Sequence, residues 1–300
     1  MTEPARAGAW EVREDLSVPA ARARVNRQDG ATVLFLGDLH IDHPRSDRKA
    51  IRRLLDEAVA RDAAVILLGD QFDVMQGVAD RRSAKSDLMH RYAGRDDYLT
   101  AVLEDVAEFL TPYARHIWVV LDGNHESAIT RYNEISLTRL LVHELRRAGG
   151  PAVTPGYQSY ALLQLSFGNE GRADATIPLW LAHGHGGGGE VTKGTIQAHR
   201  RAVTYPDARI VVSGHIHSSH FVAHEQHRVT SRGIPYDIEQ EHYVVNTAKD
   251  EHSKKSGYHV ERGRGPRLFS GWWGEFFRAH GEEVAGDRET ARWDFWRAKP

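Results

Sequence analysis

Cysteine is absent from the chain, which excludes disulfides, thiolate metal sites and cysteine nucleophiles. Long apolar runs are missing as well. No stretch is long enough to span a bilayer, and the opening residues Met1-Thr2-Glu3-Pro4-Ala5-Arg6 carry no apolar core of a secretory signal. Charge of one sign is also lacking: 39 Lys and Arg stand against 41 Asp and Glu, a formal net charge of −2. There is therefore no bulk positive field of the kind that marks many nucleic-acid binders, although local basic patches stay open. These absences lead to the expectation of a cytoplasmic protein with no membrane contact, and they leave its protein partners unknown. What the chain does have is length for a sizeable core, 300 residues, as one large domain or two. It also has many histidines, 18 in all.

Some of those histidines fall into an ordered pattern. The segments Gly37-Asp38-Leu39-His40, Gly69-Asp70-Gln71-Phe72-Asp73, Gly123-Asn124-His125-Glu126, His183-Gly184-His185 and Gly214-His215-Ile216-His217 occur in that order, most of them directly after a run of Val, Ile and Leu. Such placement sets Asp, Asn and His at the ends of buried strands, where they can converge on a metal pair. A carboxylate can bridge two ions, imidazole suits borderline transition metals, and a neutral Asn oxygen adds a ligand without further negative charge. Two divalent ions about 3.5–4 Å apart lower the pKa of bound water and clamp the attacking and leaving oxygens of a phosphoester.

Each segment alone is weak, since an Asp-x-His is commonly a surface or capping pair. Together they resemble the calcineurin-like metallophosphoesterase superfamily, in a bacterial or phage-type branch, with its D-x-H, G-D-x-x-D, G-N-H-[DE], H-G and G-H-x-H motifs. The resemblance runs from Gly37 to His217. It implies that Asp38, His40 and His217 hold one ion, that Asn124, His183 and His215 hold the other, and that Asp70 bridges them. It also implies that His125 stays off the metals and assists the leaving oxygen while a hydroxide between the ions attacks phosphorus in line. That role suits histidine, which titrates near neutrality. Asp73 reads as a partner that orients a neighbouring histidine, or equally as a capping or turn residue. Mn2+ is the first choice of metal, with Fe, Zn, Co and Ni open.

The fold implied by the resemblance is α/β, a four-layer αββα sandwich of two mixed sheets flanked by helices. The sequence pattern agrees. Strands are expected over 32–36, 64–68 and 116–121, with helices over 48–61, 98–110 and 133–148 between and after them. The second half reads as strands over 157–167, 178–182, 209–213, 220–229, 242–246 and 266–277, with a helix over 194–203. Residues 1–30 look like a loosely packed N-terminal arm, 31–278 form the metallophosphoesterase domain, and 279–300 are a C-terminal tail that docks a short helix.

Three segments carry secondary readings. Gly184 to Gly189 fits a dinucleotide-binding G-x-G-x-x-G, with Asp207 as the acid, but His183 is already claimed by the metal pattern. A loop that brings backbone N–H groups to substrate phosphate is the better reading, with His185 and Lys193 as contacts. The 74–97 insertion mixes Arg81, Arg82 and Lys85 with acids; it is a solvated face, or Arg81, Arg82 or Lys85 contacts a non-scissile phosphate. Lys254, Lys255, Arg262, Arg264 and Arg267, near Tyr258 and Trp272-Trp273, form either a basic hairpin at a sheet edge or a nucleic-acid-binding strip, and the hairpin is favoured.

Protein phosphatases of the superfamily continue their first two motifs with glycine and with Arg-Gly. Here Ile41 and Val74-Met75 stand in those places, which speaks against a protein phosphatase. The second-to-fifth motif set resembles the phosphodiesterase and nuclease side of the superfamily, which implies a phosphodiesterase acting on nucleotide or nucleic-acid phosphodiesters. The alternatives are a phosphomonoesterase of the same fold, a non-catalytic scaffold and a nucleic-acid-binding module.

Overall fold

In the computed structural model the described residues are 5–25, 29–74, 88–168, 173–187, 189, 191–192, 194–250, 268–279, 283–284, 287–288 and 291–300. The chain begins with three strands, β1 (Arg6–Ala7), β2 (Trp10–Arg13) and β3 (Ala20–Arg24), followed by β4 (Ala31–Leu36), α1 (Arg48–Ala60) and β5 (Ala64–Leu67). Next come α2 (Tyr98–Leu110), β6 (Ile117–Val120), α3 (Asn124–Asn133), α4 (Leu137–Arg147), β7 (Gln158–Ser166) and β8 (Ala175–Ala182). The remainder is α5 (Thr195–Thr204), β9 (Ile210–Ser213), β10 (His220–Val229), β11 (Pro235–Val244), β12 (Gly271–Arg278), the short ribbon β13 (Glu283–Val284) and β14 (Asp287–Arg288), and β15 (Ala291–Ala298).

Two mixed sheets result. One has the order β15-β12-β4-β5-β6, the other β1-β2-β3-β7-β8-β9-β11-β10. Strands β4, β5 and β6 run parallel, as do β8, β9 and β11. Burial on both faces explains why the central strands are unbroken apolar runs rather than alternating ones. In β4, Val33 and Phe35 point into the core between the sheets, where they meet Leu163, Leu179 and Val212. Leu34 and Leu36 point the other way, into the core beneath α1, α2 and α4. Helix α5 covers part of the outer face of the larger sheet. The layers are therefore helix, sheet, sheet, helix. Among the described residues no helix is long and apolar enough to cross a membrane.

Several elements differ from the sequence expectation. The supposed N-terminal arm contributes β1, β2 and β3 to the larger sheet, where Trp10 is fully buried and its Nε1 donates to Thr32 O at 3.0 Å. Its strands are rich in Ala and Arg, which have little intrinsic strand signal, and packing decides instead. The C-terminal tail supplies a strand, not a docked helix: β15 pairs antiparallel with β12, and Phe295 stacks on Tyr243 at 4.1 Å between ring centroids. The helix expected over 133–148 starts later, as α4 at Leu137, and an unexpected helix, α3, precedes it. Glu134 ends α3 in the left-handed region, with φ +59°, and the Ser136 hydroxyl caps α4 by accepting from Arg139 N. Strand β11 also starts earlier than expected, pairing along its whole length with β10.

Candidate metal centre

The five motifs leave the C-terminal ends of β4, β5, β6, β8 and β9, so the two sheets bring them to one edge of the sandwich. Turning out of a strand at once forces unusual backbone. Asp38, His40, Asp70, His215 and His217 all have positive φ, from +44° to +72°, a region that costs a non-glycine residue roughly 1–3 kcal/mol. The motif glycines make room for the side chains so presented. A Cβ on Gly123 would lie 2.0 Å from Asp70 Oδ1, and one on Gly214 would lie 2.4 Å from Asp38 Oδ2.

The expected ligands meet. His217 Nε2 is 3.2 Å from Asp38 Oδ1, His40 Nε2 is 3.9 Å from Asp70 Oδ2, and His183 Nε2 is 3.4 Å from the same Asp70 oxygen. Asn124 Oδ1 sits 3.0 Å from His183 Nε2 and 2.8 Å from His215 Nδ1, and those two nitrogens are 3.2 Å apart. Three overlapping donor groups have their ligand atoms within 4.8 Å of one another: Asp38, His40 and His217; His40, Asp73 and His125; and Asp38, Asp70 and His183. Shared membership of Asp38 and His40 makes this one chamber that suits a pair of ions.

The donors fit divalent ions on their own chemistry. His40 is buried, yet its Nε2 has no hydrogen-bond partner, and buried polar atoms left so are rare. The set of imidazoles, carboxylates and one amide oxygen is that of a borderline transition metal site. In the second group, His125 Nδ1 is engaged by Asp73 O. The Asp73 carboxylate meets His40 Nδ1 at 3.2 Å and Lys249 Nζ at 2.7 Å.

The charges are closely balanced. Burial alone would raise Asp70, but the neighbouring His125, His183 and His40 hold it well below the usual carboxylate range. Burial likewise opposes the lowering of Asp38 by His217 and His183. His183 goes up to about 9, because the charge and hydrogen bond of Asp70 outweigh its burial, whereas burial and the charge of His183 bring His215 down to about 4.

A supporting layer fixes these donors, and most of it was not read from the sequence. The fully buried Glu126 carboxylate accepts from Gly123 N at 2.8 Å and from Asp70 N and Phe72 N at 3.1 Å, tying the second motif to the third. Burial and the charge of Asp70 push it up to about 8, against these donors. Asp42 accepts from Asp73 N and Val74 N. His183 Nδ1 bonds Leu68 O at 2.9 Å, which aims its Nε2 inward. Beyond β11, the Thr247 hydroxyl and Ala248 N both donate to Asp38 O, at 2.9 and 3.0 Å. The available signal was positional: Thr247 and Lys249 also follow the buried end of a strand, Tyr243-Val244.

The remaining sequence candidates separate. His185 lies exposed on the glycine loop, its pKa lowered by burial and by Arg201 and Arg200. Lys193, Arg81 and Arg82 lie outside the described residues, as do Lys254, Lys255, Tyr258, Arg262, Arg264 and Arg267. In the described part of the insertion, Arg91 and Tyr92 dock on Asp105 of α2. Trp272 and Trp273 are buried in β12 and offer no exposed ring for a base to stack on.

No curated protein matches the chain. Residues 31–219 match the family model for calcineurin-like phosphoesterases, a span that holds all five motifs and every candidate ligand. The chemistry of the chamber and this match agree: the chain belongs to the calcineurin-like phosphoesterase family and is a metal-dependent phosphoester hydrolase with a dinuclear divalent-metal site.

Proposed function

We propose that the enzyme is a phosphodiesterase acting on nucleotide or nucleic-acid phosphodiesters, with Mn2+ as its first-choice metal. Asp38, His40 and His217 would hold one ion and Asn124, His183 and His215 the other, with Asp70 as a donor to both. When bound, the ions supply positive charge against the phosphate and acidify the water they share. The protein's own contribution is orientation and a proton. His125 donates its Nδ1–H to Asp73 O, which leaves Nε2 as the nitrogen facing the chamber, 3.7 Å from Asp70 Oδ2. From Nε2 a proton passes to the leaving oxygen as the P–O bond breaks.

The observation that carries this reading is the convergence of seven donors with His125 beside the central Asp70. Preference for a diester rests on the second-to-fifth motif set, which resembles the phosphodiesterase and nuclease side of the superfamily; Val74-Met75, where protein phosphatases carry Arg-Gly, speaks against a protein phosphatase. The test is p-nitrophenol release from bis-p-nitrophenyl phosphate against p-nitrophenyl phosphate, with the protein loaded with Mn2+. Faster release from the diester is expected. Faster release from the monoester moves the assignment to a phosphomonoesterase, and release from neither moves it to a binding protein.

A further inference from the structure

Lys249 is absent from the motif pattern, yet it reaches the candidate site from a clamped stretch of backbone. Lys249 N donates to Thr247 Oγ1 at 3.1 Å, Ala248 N to Asp38 O at 3.0 Å, and Asp47 N to Ala248 O at 2.9 Å. Ser46 and Lys249 also face each other as an isolated antiparallel bridge. The stem of the side chain therefore starts from a fixed point, and the side chain is only 12% exposed. It meets the same oxygen, Asp73 Oδ1, that faces His40 Nδ1.

Asp73 needs a cation there. Its carboxylate is buried beside the buried Asp42 carboxylate, which accepts from Asp73 N and Val74 N. A buried carboxylate beside another acid turns away unless a fixed positive charge holds it in place. Once it turns away, its 3.2 Å contact with His40 Nδ1 is lost, and with it the contact that keeps the ring's Nε2 directed towards Asp70. Metal-bound histidines depend on such a partner for tautomer and orientation.

We infer that Lys249 is a positioning residue for His40: by pairing with Asp73 it fixes the carboxylate that orients this ligand. The inference rests on His40 being a ligand, as proposed above. It specifies one ion of the pair, the one held by Asp38, His40 and His217.

The experiment is a Mn2+ titration of the metal-stripped full chain, with stoichiometry and affinity read for each ion, on wild type, Lys249→Met, Lys249→Arg, Asp73→Asn and the double variant Lys249→Met with Asp73→Asn. Lys249→Met is expected to weaken one ion by about 10–100-fold and leave the other unchanged. Lys249→Arg keeps both, and in the Asp73→Asn background Lys249→Met has no further effect. Wild-type affinity for both ions in Lys249→Met overturns the inference, and so does an equal loss at both, which marks a general structural role. Should Lys249→Met fail to fold, Lys249→Gln, which keeps a hydrogen-bond donor without the charge, takes its place in the comparison. Failure of the underlying site reading looks different: wild type itself then binds no ions, or Asp70→Asn binds both as wild type does.

Discussion

Substituting alanine for Gly123 tests how rigidly the chamber is built. The new Cβ would stand 2.0 Å from Asp70 Oδ1 and 2.3 Å from Asp70 N, so the crowded atoms include backbone that cannot swing aside. Restoring an ordinary contact requires a shift of about 1.4 Å between the two segments, and a misplacement of about 1 Å at reacting groups costs on the order of 100-fold in rate. Glu126, which ties Gly123 N to Asp70 N, resists that shift. The expected outcome is a fall in kcat/KM on the diester of at least about 100-fold, equivalent to roughly 2.7 kcal/mol, together with weaker retention of the ions. Gly149→Ala is the control. Gly149 also has positive φ, +84°, but nothing lies within 4 Å of its missing Cβ, so that variant loses stability without losing turnover. Steady-state kinetics with metal analysis on both proteins decides the matter. If Gly123→Ala turns over within threefold of wild type, Asp70 is not held as described.

Other outcomes follow from the same geometry. His125→Asn should retain both ions by metal analysis while kcat falls about 10²–10⁴-fold, the range for a lost general acid; loss of metal in that variant would show that His125 is a ligand. Asp70→Asn should lose both ions and turnover together, and chelation of wild type should do the same reversibly, with activity restored by Mn2+. Asp105 tests the scaffold: burial would raise it, but hydrogen bonds from Arg48 and Tyr92 and the charges of Arg48 and Arg91 hold it below the usual range. Its folded pKa is thus depressed, so its contribution is present above the unfolded value near 3.9 and is lost as pH falls through the folded one. Asp105→Asn should cost about 1–3 kcal/mol at neutral pH by chemical denaturation, and the gap to wild type should close as the medium is acidified.

The sequence made some parts of this molecule plain and hid others for physical reasons. The apolar runs of β4, β5 and β6 and the helical spacing of α2 are visible because burial on both faces, or on one stripe, demands them. The seven candidate ligands are visible because metal chemistry restricts residue types and strand ends restrict spacing. Strands β1 to β3 were hidden because alanine next to arginine has no strong local preference; only the neighbouring sheet makes Ala21 and Ala23 interior. Helix α3 was hidden because its first turn is the motif itself, Asn124-His125-Glu126. Glu126 lies inside a motif, but its action on the backbone of the second motif, like that of Asp42 on Asp73 N and of Lys249 on the Asp73 carboxylate, spans long separations in the chain, and no local pattern announces those contacts.

The left-handed backbone at Asp38, His40, Asp70, His215 and His217 also bears on how this sequence can change. Glycine and asparagine tolerate that conformation better than histidine does, so at these positions a residue that gives up its donor can relieve strain in the metal-free chain. Selection for stability alone therefore runs against the active site here. Screens that reward thermal resistance without requiring turnover would enrich for dead enzymes, and their substitutions would gather first at His40, His215 and His217.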